Sequence, residues 1–158
     1  MVFETTEEAI AQRKEFLFQR KIGVCDIVAS AQREKIDASD LGMQDVKLRD
    51  LISVLQKNEL VDTLLFTGGN SKNGPEYFFR RYLKQHNLAL EVVSSTVPRI
   101  HKFILPESTR AIKTISLTAP SGAANRAVGS LLEYKKMKAE NSEITTIDFR
   151  VHQYTPFF

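Results

Sequence analysis

Between residues 63 and 86 the chain contains one unit that limits every other choice of fold. Thr63-Leu64-Leu65-Phe66-Thr67 is a short apolar run, Gly68-Gly69-Asn70-Ser71 follows at once, and Pro75 opens a helical pattern that lasts to His86. A brief apolar run bounded by glycines reads as a buried strand. Proline suits the first helical position, where its missing N–H has no partner to lose. A strand turning this tightly into a helix needs a sheet to join and a helical layer to cover it.

The flanking segments supply both. Thr5-Thr6-Glu7-Glu8 is a helix-start pattern, in which a Thr hydroxyl takes an early amide and Glu8 reaches back to the amide of Thr5. The helix it starts is predicted to bury Ala9, Ile10, Phe16 and Leu17 and to end at Gly23. Ile22 to Ala29 is short and β-branched, as a buried parallel strand is, with Asp26 interrupting it. Residues 32–45 are polar and aperiodic and read as a loop. Asp45 is then expected to cap a helix carrying Val46, Leu48, Leu51, Ile52, Val54 and Leu55 on its buried face. Leu90 to Val93, Lys102 to Leu105 and Ile112 to Leu117 are strand candidates, Ala123 to Lys138 reads as the last long helix, and Ile144 to Phe149 as an added strand. The end Gln153 to Phe158 is aromatic and is expected to pack against the domain or a partner. With 158 residues and 42% hydrophobic positions, the expectation is one α/β domain over residues 1–158: three layers, α/β/α, around a mostly parallel central sheet wound by right-handed crossovers.

Several function classes drop out. No apolar run approaches the ~20 residues of a membrane-spanning helix. Met1-Val2-Phe3 leads straight to polar residues rather than to a secretory signal, so no membrane partner and a cytoplasmic location are expected. Cys25 is the single cysteine and has no partner for an internal disulfide. His86, His101 and His152 lie far apart without metal-ligand spacing, read as surface groups, and imply no metal.

Charge points toward an anionic partner. The net +3 hides a division: residues 1–79 hold 10 basic and 13 acidic side chains (−3), residues 80–158 hold 12 and 6 (+6). Cations gathered in one half are what phosphates attract, although a solvated basic surface has the same composition.

In an open α/β sheet, ligands gather beyond the carboxyl ends of the strands, and three places fit. The first is Asp26 with Arg33, Ser39 and Asp40, where a carboxylate inside an apolar run needs a partner such as Arg33. These groups serve either a site or a loop-holding network. The second is Gly68-Gly69-Asn70, whose glycines permit close backbone approach; its spacing is that of neither a P-loop nor a dinucleotide fingerprint, and a plain tight turn also fits. The third is Pro120-Ser121-Gly122 with Asn125 and Arg126, small residues suited to a narrow groove followed by groups that meet phosphates or base edges.

These three places in this order resemble the uracil-DNA glycosylase superfamily, within it the branch of mismatch-specific and hypoxanthine-type enzymes. Gly23-Val24-Cys25-Asp26-Ile27-Val28, Ala31-Gln32-Arg33 and Asp37-Ala38-Ser39-Asp40 resemble the family's Gly-Ile-x-x-Asp … Arg … Ser-Asp segment. Phe66 to Asn70 resembles the central strand and its turn, and Pro120-Ser121 to Asn125 the second motif, so the likeness runs from about residue 5 to residue 138. It implies a uracil-DNA glycosylase-like fold, DNA as partner, and base-excision chemistry without a metal or organic cofactor. A damaged or mismatched base is flipped out of the stack and its N-glycosidic bond cut by water. By the same likeness the Pro120–Asn125 loop presses on the minor groove, Arg126 holds phosphate, and the Arg33–Asp40 region shapes the damaged-strand side.

The chain departs from the family in two places. No Gly-x-x-Pro first motif precedes Asp26, so the resemblance predicts a shortened relative or a fragment, with Asp26 and Asn70 as the candidates left for catalysis. Gly122-Ala123-Ala124 stands where hydroxyl residues or proline are common. Two other readings stand beside this one: a non-catalytic nucleic-acid-binding relative, and a small-molecule or phosphate-binding domain using Gly68 to Ser71.

Overall fold

The computed structural model describes residues 5–33 and 42–158. The chain is mixed α/β. Helix α1 (Glu7–Gln19) starts from Thr6, whose hydroxyl accepts the Ala9 amide at 3.2 Å. With Thr6 as the cap, the third helical residue is Ala9, and the expected reach of Glu8 to Thr5 has no place. The helix ends before Gly23: Lys21 takes the left-handed conformation, and Ile22 donates its amide back to the Leu17 carbonyl.

Strands β1 (Val28–Arg33) and β2 (Met43–Leu48) then pair antiparallel as a two-stranded ribbon. This corrects two expectations. Residues 22–26 lie outside any strand and Val24 is 79% exposed, so Ile22 to Ala29 is not a buried parallel strand. Residues 43–48 are strand, and helix α2 (Leu51–Lys57) starts five residues later than expected, capped by Asp50. Val46 and Leu48 satisfy a two-residue period as well as a helical one. Asp50 prevails as cap because its carboxylate accepts the Ser53 amide at 3.2 Å and the Tyr82 hydroxyl at 2.6 Å.

The main sheet has four strands in the order β3 (Thr63–Phe66), β6 (Ala111–Ser116), β5 (Arg99–Ile104), β4 (Glu91–Ser94). Only β3 and β6 run parallel; β6 with β5 and β5 with β4 are antiparallel, so the sheet is mixed rather than mostly parallel. The cause is chain length. Residues 95–98 and 105–110 are the whole of the two connections, and a parallel return needs a crossover of a dozen residues or more.

Helix α3 (Pro75–Gln85) and α2 supply the core on one sheet face. Phe79, wholly buried, sits with its ring centroid 5.1 Å from Phe66, 5.5 Å from Phe103 and 6.3 Å from Tyr82, and Leu51, Leu55, Leu83 and Ile112 complete the cluster. Beyond β6 the expected long helix is broken at Leu131, whose extended backbone separates α4 (Asn125–Ser130) from α5 (Leu132–Glu140). Residues 144–149 do not form a strand. Thr145 and Asp148 make a reciprocal capping box, and α6 (Thr146–Tyr154) follows. The aromatic end is half-buried at Tyr154, Phe157 and Phe158: the Tyr154 and Phe158 rings stack at 6.0 Å, and Arg20, which caps the end of α1, donates to the Phe158 carbonyl. Among the described residues no helix is long and apolar enough to cross a membrane.

Candidate functional site

Parts of the three places singled out in the sequence lie around the start of α3: Asp26 and Arg33, the Gly68 turn, and Ala119 just before Pro120. Gly68 ends the β3 turn against Pro75: a Cβ on it would lie 2.8 Å from the Pro75 Cδ and 3.9 Å from the Ala119 Cβ of the loop after β6. Gly74 is fixed by the same closeness, since a Cβ there would lie 2.5 Å from the Gly69 carbonyl oxygen. The turn after β3, the loop after β6 and the first residue of α3 are therefore in contact. Parallel pairing of β3 with β6 puts both carboxyl ends at one edge, where α/β sheets hold ligands.

Pro75 also borders a hollow of about 280 Å³, whose lining includes Asp26, Arg33, Met43, Asn73 and Phe78. The β1–β2 ribbon closes one side and α3 the other. Phe78 is nearly fully buried and meets Tyr77 edge to face, and Asn73 is buried in a left-handed conformation that asparagine tolerates better than most residues. Asp26 is exposed at the rim, where its backbone carbonyl accepts the Arg49 Nε at 2.9 Å. Ser39 and Asp40 lie outside the described residues.

Beneath the Gly69 turn lies a polar cluster that sequence reading missed. Glu76, on the first turn of α3, has a side chain only 1% exposed. Its Oε1 accepts Arg80 Nε at 2.9 Å, and its Oε2 accepts Arg99 Nη2 at 2.6 Å and the Ser116 hydroxyl at 2.7 Å. Burial raises the Glu76 carboxyl pKa, but the hydrogen bonds from Ser116, Arg99 and Arg80 outweigh it and hold the group below its ordinary 4.5. Arg80 Nη2 lies 2.8 Å from His101 Nε2. Arginine only donates, so that nitrogen accepts and the ring proton sits on Nδ1. Burial, then the Arg80 charge, pushes the His101 pKa down, so the ring is neutral at neutral pH. His101 is thus a buried residue and not the surface group expected from its spacing. The i, i+4 pair Glu76–Arg80 and the alternation Arg99, His101, Phe103 were its signals in the sequence.

Helix α6 holds the third place. Arg150 donates to the carbonyls of Ala119 at 2.9 Å and Ser121 at 3.0 Å and to the Asn125 side-chain oxygen at 2.8 Å. Gln153 Oε1 accepts the Thr118 amide at 2.8 Å, and the Tyr154 hydroxyl donates to the Thr118 carbonyl at 2.6 Å. Spaced three and four apart, these side chains lie on one helix face and grip the backbone of residues 118–121. Pro120, Ser121, Gly122 and Arg126 are exposed, as is Asn70 after β3. Asn125 spends its side-chain oxygen on Arg150 and Thr146 of α6. Among the described residues no cluster of His, Cys, Asp and Glu could hold a metal ion.

No family model matches the chain, and no curated protein and no solved structure matches it either.

Proposed function

We propose that the chain is a DNA glycosylase-like domain of base-excision repair, with the three-layer arrangement of the uracil-DNA glycosylase superfamily, that turns out a deaminated or mismatched base and hydrolyses its N-glycosidic bond. The observation carrying this reading is the hollow of about 280 Å³ beside Pro75, lined by Asp26, Arg33, Asn73 and Phe78. At that size it lies just below the usual range of ligand pockets, which starts near ~300 Å³, and suits one flat ring rather than a whole nucleotide. An aromatic wall and a few polar side chains are what a pocket needs to accept a flipped base. In this reading Asp26 at the rim orients the attacking water, and the exposed Arg126, Lys135, Lys136 and Lys138 meet the backbone phosphates.

The test is a panel of labelled duplexes containing deoxyuridine, deoxyinosine or a thymine mismatch, incubated with the protein and then treated with alkali. Strand cleavage at one lesion, abolished by Asp26→Asn, is the expected result. A folded protein that leaves every lesion intact overturns it.

One observation favours a second reading, a relative that binds nucleic acid without cutting it. Among the described residues only the backbone carbonyl of Asp26 is engaged and none anchors its carboxylate, whereas a general base is held by its neighbours. That reading predicts binding that weakens steeply with salt and no abasic sites, with the log–log salt slope falling by about 1 for each phosphate-contacting cation removed, Arg126 and Lys135 first. An unchanged slope in both variants refutes it.

A further inference from the structure

The cluster under Gly69 carries more positive charge than its members neutralise. Arg80 and Arg99 share one carboxylate, Glu76, and His101 beside them is neutral. Among the described residues neither arginine pairs with another acid. Donors are also left over. A guanidinium offers five N–H groups; among the described residues Arg80 uses Nε and Nη2, Arg99 uses Nη2, and the Arg99 Nε is shielded from solvent with no acceptor.

The two heads are not loose surface groups. Glu76 ties Arg80 through one oxygen and Arg99 through the other, leaving their side chains 34% and 32% exposed. The side-chain freedom that an arginine usually loses on meeting its ligand has already been given up. Room is provided as well: a Cβ on Gly69 would lie 3.2 Å from Arg99 Nη2, so the bare turn lets the guanidinium lie against it. Ser116 and Arg99, paired across β6 and β5, place the cluster at the carboxyl ends of the parallel strands.

We propose that Arg80 and Arg99, locked by Glu76, form a binding site for a phosphate group, free or esterified, beside the Gly69 turn. Two fixed guanidinium forks, one approaching from a helix and one from a strand, suit a group with oxygens on several sides, whereas a flat carboxylate presents two. The site does not depend on base excision, and the yield of abasic sites does not report on it.

The experiment follows the arginine Nε resonances of the wild-type protein by NMR. Inorganic phosphate is titrated against sodium chloride and sodium acetate at matched ionic strength, and a short undamaged DNA duplex forms a separate arm. The expected result is a saturable shift of the Arg99 and Arg80 signals with phosphate, absent with chloride and weak with acetate. Arg99→Gln and Arg80→Gln each weaken binding about tenfold, roughly one charge-assisted hydrogen bond, with folding checked by circular dichroism. A response to inorganic phosphate assigns a free anion; a response to the duplex alone, lost in Arg99→Gln, assigns a phosphodiester. Shifts that match those in chloride, in both the phosphate and duplex arms, overturn the proposal, and because they are read on the wild-type protein a variant that fails to fold does not rescue it.

Discussion

Glu76→Gln removes one charge and almost no volume, which makes it the sharpest probe of the cluster at the start of α3. The wild-type carboxylate accepts three hydrogen bonds, from Arg80, Arg99 and Ser116, and is wholly buried. Glutamine has one oxygen to accept and an NH2 that only donates. Whichever way it turns, at least one donor from the two arginines and Ser116 faces another donor. Removing one partner of a buried ion pair costs about 3–5 kcal/mol. Here the arginine side chains are 34% and 32% exposed and recover some hydration, which brings the cost below that range, to about 2–3 kcal/mol. For a domain of this size each kcal/mol moves Tm by ~2–4 °C, which predicts a fall of roughly 5–10 °C at neutral pH.

The pH dependence identifies the charge as the cause. Glu76 titrates lower folded than unfolded, so its stabilisation is complete above the unfolded value near 4.5 and is lost as pH falls through the lower, folded value. His101 also titrates lower when folded. The unfolded ring binds a proton below its ordinary 6.5 that the buried ring refuses, which removes further stability as pH falls below that point. Urea unfolding followed by circular dichroism from pH 7 to pH 3 should show the wild-type losing stability in both windows, and Glu76→Gln losing less than the wild-type below about 4.5. A variant as stable as wild-type at pH 7, with a parallel acid limb, would show that the carboxylate is not ionised in the folded protein and would remove the basis of the charge argument.

Three further perturbations test the packing around the site. Tyr82→Phe deletes the hydroxyl that accepts the buried Ile52 amide at 3.0 Å and donates to Asp50; it should cost about 1–3 kcal/mol in urea unfolding and raise the Asp50 pKa from about 2, read by carboxyl NMR. Gly74→Ala drives a Cβ to 2.5 Å from the Gly69 carbonyl and should lose about 1–3 kcal/mol, whereas Gly23→Ala, with nothing within 4 Å, should be neutral or slightly stabilising; equal effects on Tm would refute the steric account. Arg150→Met removes donors to Ala119, Ser121 and Asn125, so amide exchange in residues 119–125 should quicken by about tenfold or more while exchange in α3 stays unchanged.

Legibility of the fold followed the strength of local signals. The unit from Thr63 to His86 was readable because an apolar run, a glycine turn and Pro75 agree, and β3 and α3 sit where those residues put them. The β1–β2 ribbon was not. Val-Ala-Ser-Ala-Gln-Arg and Met-Gln-Asp-Val-Lys-Leu are half polar, their pairing is irregular, and their stability comes from contacts that sequence periodicity does not record. The mixed sheet was within reach. Strand candidates ending at Val93, starting at Lys102, ending at Leu105 and starting at Ile112 leave gaps of 8 and 6 residues, too short for parallel crossovers, and counting them would have predicted antiparallel neighbours.

The site was legible in parts and hidden where its parts join. Reading each strand end separately marks Asp26, Gly68 and Pro120 as three local features, because nothing in the sequence states that Pro75 touches the Gly68 turn and also lines the hollow with Asp26. The buried charges were harder to see. Glu76 in the first turn of a helix reads as an ordinary dipole partner, and Arg99 before an alternating strand as a surface cation. Only the register Arg99 opposite Ser116, set by antiparallel pairing, brings them onto one carboxylate. The misread strand direction and the missed cluster therefore have one cause: with β5 running parallel to β6, Arg99 would have stood at the far end of the sheet, away from Gly69 and Glu76. Strand polarity, more than any single motif, decides which charges reach the carboxyl ends of β3 and β6.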